Sequence, residues 1–178
     1  EVSHISEIPG LLVFTLDENL DERGYFQEKF QKEKLNVLGL PLDFNPVQHN
    51  ISYNIKEGVT RGLHAEPWDK YISVIKGKVF CAFLDLRPGT FFGNIFTITL
   101  DVSKAVFLPK GIANSYQTLE PDVYYSYLVN AHWTSDVKYK AINVADPSLK
   151  IEWPISLDQA VISEKDRNNP FFKDLNLG

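Results

Sequence analysis

From Gly10 to Asn130 the chain is a succession of short segments rich in β-branched and aromatic residues, separated by polar breaks. "GLLVFTLDENLDERG" reads as a strand running into a polar loop, and "YFQEKF" alternates like a second strand. Then come "FNPVQHNISYN", "GVTRGLHA", "KYISVIKGKVFCAFLDLR", "GNIFTITL", "KAVFLPKG", "NSYQTL" and "DVYYSYLVN", each bounded by Gly, Pro, Asn or Asp. Turn signals recur about every 8–12 residues, the spacing of an antiparallel sandwich or barrel. "IKGKV" around Gly77 reads as a tight hairpin, and "LRPGTFFGN" as a turn at Pro88-Gly89. One stretch has another period: "QKEKLNVLGL" is weakly helical and stops at a glycine, which predicts a short helix near Phe30–Leu38. Toward the C-terminus the alternation fades. "ADPSLKIEWP" and "ISEKDRNNPFFKDL" read as loops and short helical turns wrapped over a finished core. The expected class is all-β.

Composition narrows this picture. A length of 178 residues suits one domain, and 44% apolar residues are enough to bury a sizeable core. Twelve Phe, eight Tyr and three Trp favour sheets, where rings pack across strands. The net charge of −5 comes from interleaved acids and bases, without the basic stripe that binds nucleic acid. A local Arg/Lys cluster can still hold an anionic ligand against that global sign. The single cysteine, Cys81, lies in the apolar run "KVFCAFLDL" and reads as a buried hydrophobe. No disulfide can form within the chain, so a cytoplasmic location is expected. No apolar run is long enough to span a membrane, no signal peptide opens the sequence, and there is no methionine, so the initiator is missing.

The stretch "VTRGLHAEPWDKYISVIKG" is unusual for a strand region because Arg61, His64 and Lys70 crowd together. Strict alternation sends Arg61 and His64 to opposite faces unless Gly62 bends or bulges the chain. Lys70 follows a short Pro-containing loop and is expected to return beside His64 on a neighbouring strand. Asp166 in "ISEKD" reads either as a helix cap or surface charge, or as a carboxylate able to fix the tautomer of an imidazole. "DVYYSYLVN" places Tyr125 and Tyr127 on one strand face and Tyr124 on the other. Each tyrosine is a packing residue by default, but a phenol aimed into a barrel mouth is also a proton donor. In "DERGYFQEKF", Arg23 beside aromatic rings suits a nucleotide, with guanidinium for phosphate and ring for base. Metal-binding cupin barrels typically supply a His-x-His pair, a Glu shortly after, and a further His after a Pro-x-Gly turn. The four histidines here include no His-x-His, and after "LPKG" the ligand position holds Asn114. No metal site is expected.

"DERGYFQEKF", "VQHNISYN", "GVTRGLH", "VIKGKVFCAFLDLRPG", "FLPKGIANSY", "DPSLKIEWP" and "ISEKD", in this order, resemble the dTDP-4-dehydrorhamnose 3,5-epimerases from about Gly10 to Asp166. The resemblance implies a metal-free cupin (jelly-roll) β-barrel spanning 1–178, in a homodimer that exchanges N-terminal strands. It implies a nucleotide-diphosphate 4-ketosugar as substrate, a place in rhamnose-type deoxysugar biosynthesis, and no cofactor. By the same resemblance His64 is the base, Asp166 its carboxylate partner and Lys70 the lysine near the substrate carbonyl. Tyr127, sixteen residues after Gly111 as in the family, is the acid on the opposite face of the sugar. Arg23, Phe26 and Glu28 match residues of the nucleotide end, reaching across the dimer. Gln48, Asn50 and Arg61 match residues that line sugar and diphosphate.

Three departures fall near that pocket. The loop between His64 and Lys70 is the compact "AEPWD", Asn114 stands where the family has His, and "HWTSD" puts Trp133 where a tyrosine pair is usual. They leave base, partner and acid in place and bear on which nucleotide and sugar fit, and on whether one carbon or two are inverted. The alternatives are a 3,4-ketoisomerase, an epimerase of C3 or C5 alone on a different nucleotide sugar, and a non-catalytic sugar-binding barrel.

Overall fold

A computed structural model describes residues 1–175; the one-domain expectation over 1–178 extends to 176–178, which lie outside the described residues. The chain opens with β1 (Val2–His4), β2 (Leu12–Thr15), a small hairpin of β3 (Asn19–Asp21) and β4 (Gly24–Phe26), and helix α1 (Lys32–Val37). Eight longer strands follow: β5 (Gln48–Asn54), β6 (Thr60–Ala65), β7 (Lys70–Lys76), β8 (Val79–Asp85), β9 (Ile95–Leu100), β10 (Lys104–Leu108), β11 (Ile112–Thr118) and β12 (Val123–Val129). A two-residue strand β13 (Lys140–Ala141) and helix α2 (Glu164–Arg167) belong to the C-terminal wrap.

The strands form a six-stranded sheet, β1-β2-β10-β7-β12-β5, and a five-stranded sheet, β13-β6-β11-β8-β9, with the β3–β4 hairpin apart. All named pairs are antiparallel. The two large sheets face each other as a jelly-roll sandwich, with no ladder among the described residues closing them into a continuous barrel. Alternation explains the layers. Ile72 and Val74 of β7 and Tyr125 of β12 point between the sheets, against Val79, Cys81 and Phe83 of β8 and Tyr116 of β11. Tyr116 and Tyr125 stack across the gap with ring centroids 4.0 Å apart. Tyr71 points the other way, into a cluster with Leu35 of α1, Leu40 and Phe44 that covers the outer face of the larger sheet.

The C-terminal wrap covers the smaller sheet in the same manner, packing Ile142, Val144 and Leu149 on Leu63, Leu84 and Ala113. Buried Asp146 ties it down, its carboxylate accepting from the backbone N–H groups of Ser148 at 2.8 Å and Phe172 at 2.6 Å. With both faces covered and neighbours on each side, β11 is buried along its whole length.

Two local expectations are corrected. The turn at Gly77 does not make a hairpin: β7 pairs with β10 and β12, whereas β8 pairs with β11 and β9, so the chain crosses there from one sheet to the other. A tight turn between two apolar runs looks the same in sequence whichever it joins. Lys70 likewise does not return on a strand adjacent to β6. It lies on β7 in the opposite sheet and meets His64 across the space between them.

Candidate active site

Near one end of the sandwich the two sheets leave a cavity of about 200 Å³ between them. The smaller sheet contributes Arg61 and His64 from β6 and Asn114 and Tyr116 from β11. The larger contributes Ser52, Lys70, Tyr125 and Tyr127. Glu66, from the loop after β6, completes the lining.

A bulge makes this possible. Asn114 of β11 pairs with His64 and Tyr116 pairs with Arg61, so two steps on β11 span three on β6. The extra residue breaks the alternation and turns Arg61 and His64 to the same cavity, as Gly62 between them had indicated. The site at Gly62 admits no side chain: its φ is +121°, and a Cβ there would lie 2.5 Å from the Ser115 Cβ.

The wrap brings Asp166 to His64. Ser163 caps α2, its hydroxyl accepting from the Asp166 N–H at 3.1 Å, and this sets the carboxylate facing β6. Asp166 Oδ1 lies 2.7 Å from His64 Nε2 and also accepts from Asn169 at 3.3 Å, while Oδ2 accepts from the Gly62 N–H at 3.3 Å. Burial pushes this carboxyl up, but its hydrogen bonds to His64, Gly62 and Asn169 outweigh that and hold it below the usual carboxylate range. An anionic Asp166 fixes the proton on Nε2 and leaves Nδ1 with the lone pair. Tyr139 packs edge-on against the imidazole at 5.7 Å, its hydroxyl accepting from Lys165 at 2.6 Å.

Across the cavity Lys70 is only 5% exposed. Its ammonium donates to Glu66 and, at 2.8 Å, to the side-chain oxygen of Asn114, and it sits 5.5 Å above the Tyr127 ring. Burial lowers the Lys70 pKa and the Glu66 carboxylate opposes that. Burial raises that of Tyr127, Glu66 adding to the effect, so the phenol keeps its proton at neutral pH. The Tyr125 hydroxyl is buried with no hydrogen-bond partner. Arg61 Nε and the Tyr116 hydroxyl both donate to Asn54 Oδ1, at 3.0 and 3.1 Å. The arrangement sets an imidazole on one side, a protonated phenol on the other and a cation beside it, groups of the types that take a proton, give one and stabilise an enolate.

A second cavity of about 340 Å³ shares Glu66 and Tyr127 with the first and opens outward past Gln48, Asn50, Trp68, Trp133 and Tyr139. Gln48 donates to Asn50 at 2.9 Å and accepts from the Trp133 N–H at 2.9 Å. Nine of the twelve residues expected at the site thus line one of these two cavities or, for Asp166, bond a residue that does. Arg23, Phe26 and Glu28 do not: they lie on or just after the β3–β4 hairpin, with Arg23 paired to Asp21 and Glu28 to Lys34. Glu66 and Tyr139 were not anticipated. Glu66 had a faint signal, four residues before Lys70 in the compact loop, whereas Tyr139 lies where no alternation survives.

The profile of the dTDP-4-dehydrorhamnose 3,5-epimerase family matches residues 5–174. The chain belongs to that family. It is 49% identical over 177 residues to the protein RmlC homolog of Streptococcus pyogenes, covering 96% of this chain and 89% of that one. The structure of RmlC from Streptococcus suis in complex with dTDP-D-xylose superposes with a TM-score of 0.94 at 46% identity, over 99% of this chain and 93% of the other. RmlC from Legionella pneumophila, in complex with dTDP-4-keto-L-rhamnose, gives a TM-score of 0.88 at 28% identity over 99% and 94%. At position 114, where the sequence motifs led a histidine to be expected of the family, the Asn114 side chain accepts from the Lys70 ammonium. Among the described residues no cluster of three or more His, Cys, Asp or Glu stands ready for a metal ion. Nor is any helix among them long and apolar enough to cross a membrane.

Proposed function

We propose that the protein inverts the carbons flanking the ketone of a dTDP-4-keto-6-deoxyhexose, in rhamnose-type deoxysugar biosynthesis that supplies cell-surface polysaccharide. The observation that carries this is the facing of the His64–Asp166 pair and Tyr127 across one small cavity, with the Lys70 ammonium between β7 and β11. The 4-keto group acidifies the hydrogens at C3 and C5. His64 Nδ1 takes one of them, and Asp166 steadies the imidazolium that forms. Lys70 stabilises the charge that builds on the ketone oxygen. Tyr127 returns a proton from the opposite face, which inverts the centre.

Arg61, Gln48, Asn50 and Trp133 line the route from this cavity outward and suit the diphosphate and the sugar's outer edge. Arg23, Phe26 and Glu28 then serve the nucleotide of a second subunit's site. A homodimer is supported by the outer face of edge strand β5 and its neighbour β12, where Ile51, Tyr53 and Tyr124 stand 56%, 46% and 38% exposed. The core shared by the two sheets supports one domain, and the lone buried thiol of Cys81 suits a reducing cytoplasm.

The test is hydrogen exchange. The protein is incubated with dTDP-4-keto-6-deoxyglucose in deuterium oxide, and deuterium at C3 and C5 is followed by NMR. Wild type exchanges and inverts both carbons; His64→Ala loses about 10²–10⁴-fold in both. Tyr127→Phe keeps exchange on the base's face but loses inversion. Deuterium at one carbon alone narrows the reaction to a mono-epimerase. Unimpaired turnover by Tyr127→Phe to a ketone moved along the ring means a ketoisomerase, and tight binding without exchange means a binding protein.

A further inference from the structure

Glu66 sits at the junction of the two cavities and lines both. Its side chain is largely buried, and its carboxylate is bonded to the Lys70 ammonium. A buried lysine without an anion sheds its proton readily, because desolvation penalises the charged form. The titratable and charged groups around this ammonium are Glu66 from the β6–β7 loop, Arg61 and His64 from β6, Tyr116 from β11, and Tyr125 and Tyr127 from β12. Asp166 stands behind His64 and is engaged by it. Arg61 is a second cation, and the phenols hold their protons at neutral pH through burial. Glu66 is therefore the anion in direct contact with Lys70. Asn114 supplies a neutral acceptor on the ammonium's other side and cannot take over the charge.

We infer that Glu66 is a positioning residue for the epimerase reaction, holding Lys70 as an aimed cation at the junction of the sugar cavity and the outer cavity. This rests on the reading of Lys70 as the enolate-stabilising group. The compact loop gains its meaning from it: only three residues lie between Glu66 and Lys70, so the carboxylate comes from the same short connection that delivers the lysine. Pro67 and the buried Trp68 stiffen that connection. Removal of the charge while the shape is kept, as in Glu66→Gln, leaves Lys70 a weaker acceptor of protons. The ammonium is then lost at lower pH, and with it the stabilisation of the enolate.

The test compares wild type, Glu66→Gln, Glu66→Asp, Lys70→Met and the Lys70→Met/Glu66→Gln double variant. The high-pH limb of kcat should move to lower pH in Glu66→Gln, with KM little changed and kcat above that limb down roughly tenfold for each unit it moves. Glu66→Asp should recover most of the wild-type profile. In the Lys70→Met background, adding Glu66→Gln should cost nothing further, because the residue acts through the lysine. Titration of the Lys70 ¹⁵Nζ signal by NMR, assigned by its absence in Lys70→Met, should shift the same way in Glu66→Gln. A superimposable pH profile with an unmoved Nζ titration overturns the inference, and so does a full additional loss in the double variant. Should wild type turn over no ketosugar, the epimerase reading fails, while the Nζ titration still decides whether Glu66 holds the lysine charged. An unfolded Glu66→Gln with a folded double variant supports the pairing, since both charges then leave together.

Discussion

Gly62, in the cavity wall, and Gly24, at the tip of the β3–β4 hairpin, have nearly the same φ, +121° and +127°. Their surroundings differ completely. A Cβ on Gly62 would meet Ser115 and the Asn114 carbonyl within 2.6 Å, whereas a Cβ on Gly24 would meet nothing within 4 Å. The cavity is built where two sheets and the C-terminal wrap converge, so its geometry is over-determined. The hairpin carries residues expected to hold the nucleotide, yet Phe26 is 68% exposed and, among the described residues, Arg23 is paired only with its neighbour Asp21. One part of the proposed site is finished within the chain, and the other is an exposed surface, which the proposed homodimer would cover.

Replacing each glycine by alanine should separate the two regions most sharply. Gly62→Ala has to move β11 or flatten the bulge, and should cost about 3 kcal/mol or more, lowering the thermal midpoint by about 6–12 °C and abolishing turnover. Gly24→Ala meets strain alone, about 1–2 kcal/mol that the free hairpin can absorb, so the midpoint should scarcely change. A scan by differential scanning calorimetry checks both. Equal losses in the two variants would mean that the hairpin is packed in solution.

The second contrast is kinetic. On the proposed reading, in which they hold the nucleotide and stay clear of the reacting carbons, Phe26→Ala and Arg23→Ala should raise KM about tenfold each and leave kcat near wild type. His64→Ala does the reverse. Mixing variants tests the proposed homodimer at the same time. A subunit with a damaged cavity but intact hairpin, His64→Ala, is paired with one of the opposite kind, Phe26→Ala. If the hairpin serves the neighbouring site, the mixture recovers low-KM turnover that neither parent shows. No recovery would place each hairpin against its own cavity.

The same contrast governs what the sequence made legible. Strands such as β5 and β9 could be read because exposure alternates along them, and β7 and β8, buried over most of their length, because β-branched and aromatic residues crowd between turn residues. The bulge was legible because Arg61 and His64 needed a glycine between them to share a face. The crossing at Gly77 was not, since strand pairing is decided by partners far along the chain, such as Asp85 and Ile112 in register on β8 and β11. The meeting of His64 with Asp166 across 102 positions has no local signature either; likeness of "RGLH" and "SEKD" to the family motifs carried it. Glu66 and Tyr139 escaped because their meaning lies in contacts, with Lys70 and with His64, that periodicity does not encode.

The smallest expected effect is electrostatic and sets Asp166 against Asp21. Both carboxyls are held below the usual range, Asp166 against the cost of burial by His64, Gly62 and Asn169, and Asp21 by the side chain and backbone of Arg23. A depressed carboxyl adds stability that is complete above its unfolded value, about 3.9, and is lost as pH falls through the lower folded value. For buried Asp166 little of that stability is lost to solvent screening; for Asp21, exposed beside an exposed Arg23, water and salt dissipate it. Asp166→Asn should therefore be less stable than wild type by roughly 1–2 kcal/mol at pH 7, and the gap should close as the pH is taken well below 4. Asp21→Asn should follow the wild-type curve throughout. Urea melts at intervals from pH 7 to pH 2 read both. A gap for Asp166→Asn that stays constant with pH would mean that its carboxylate contributes shape and not charge, and the tautomer of His64 would then need another anchor.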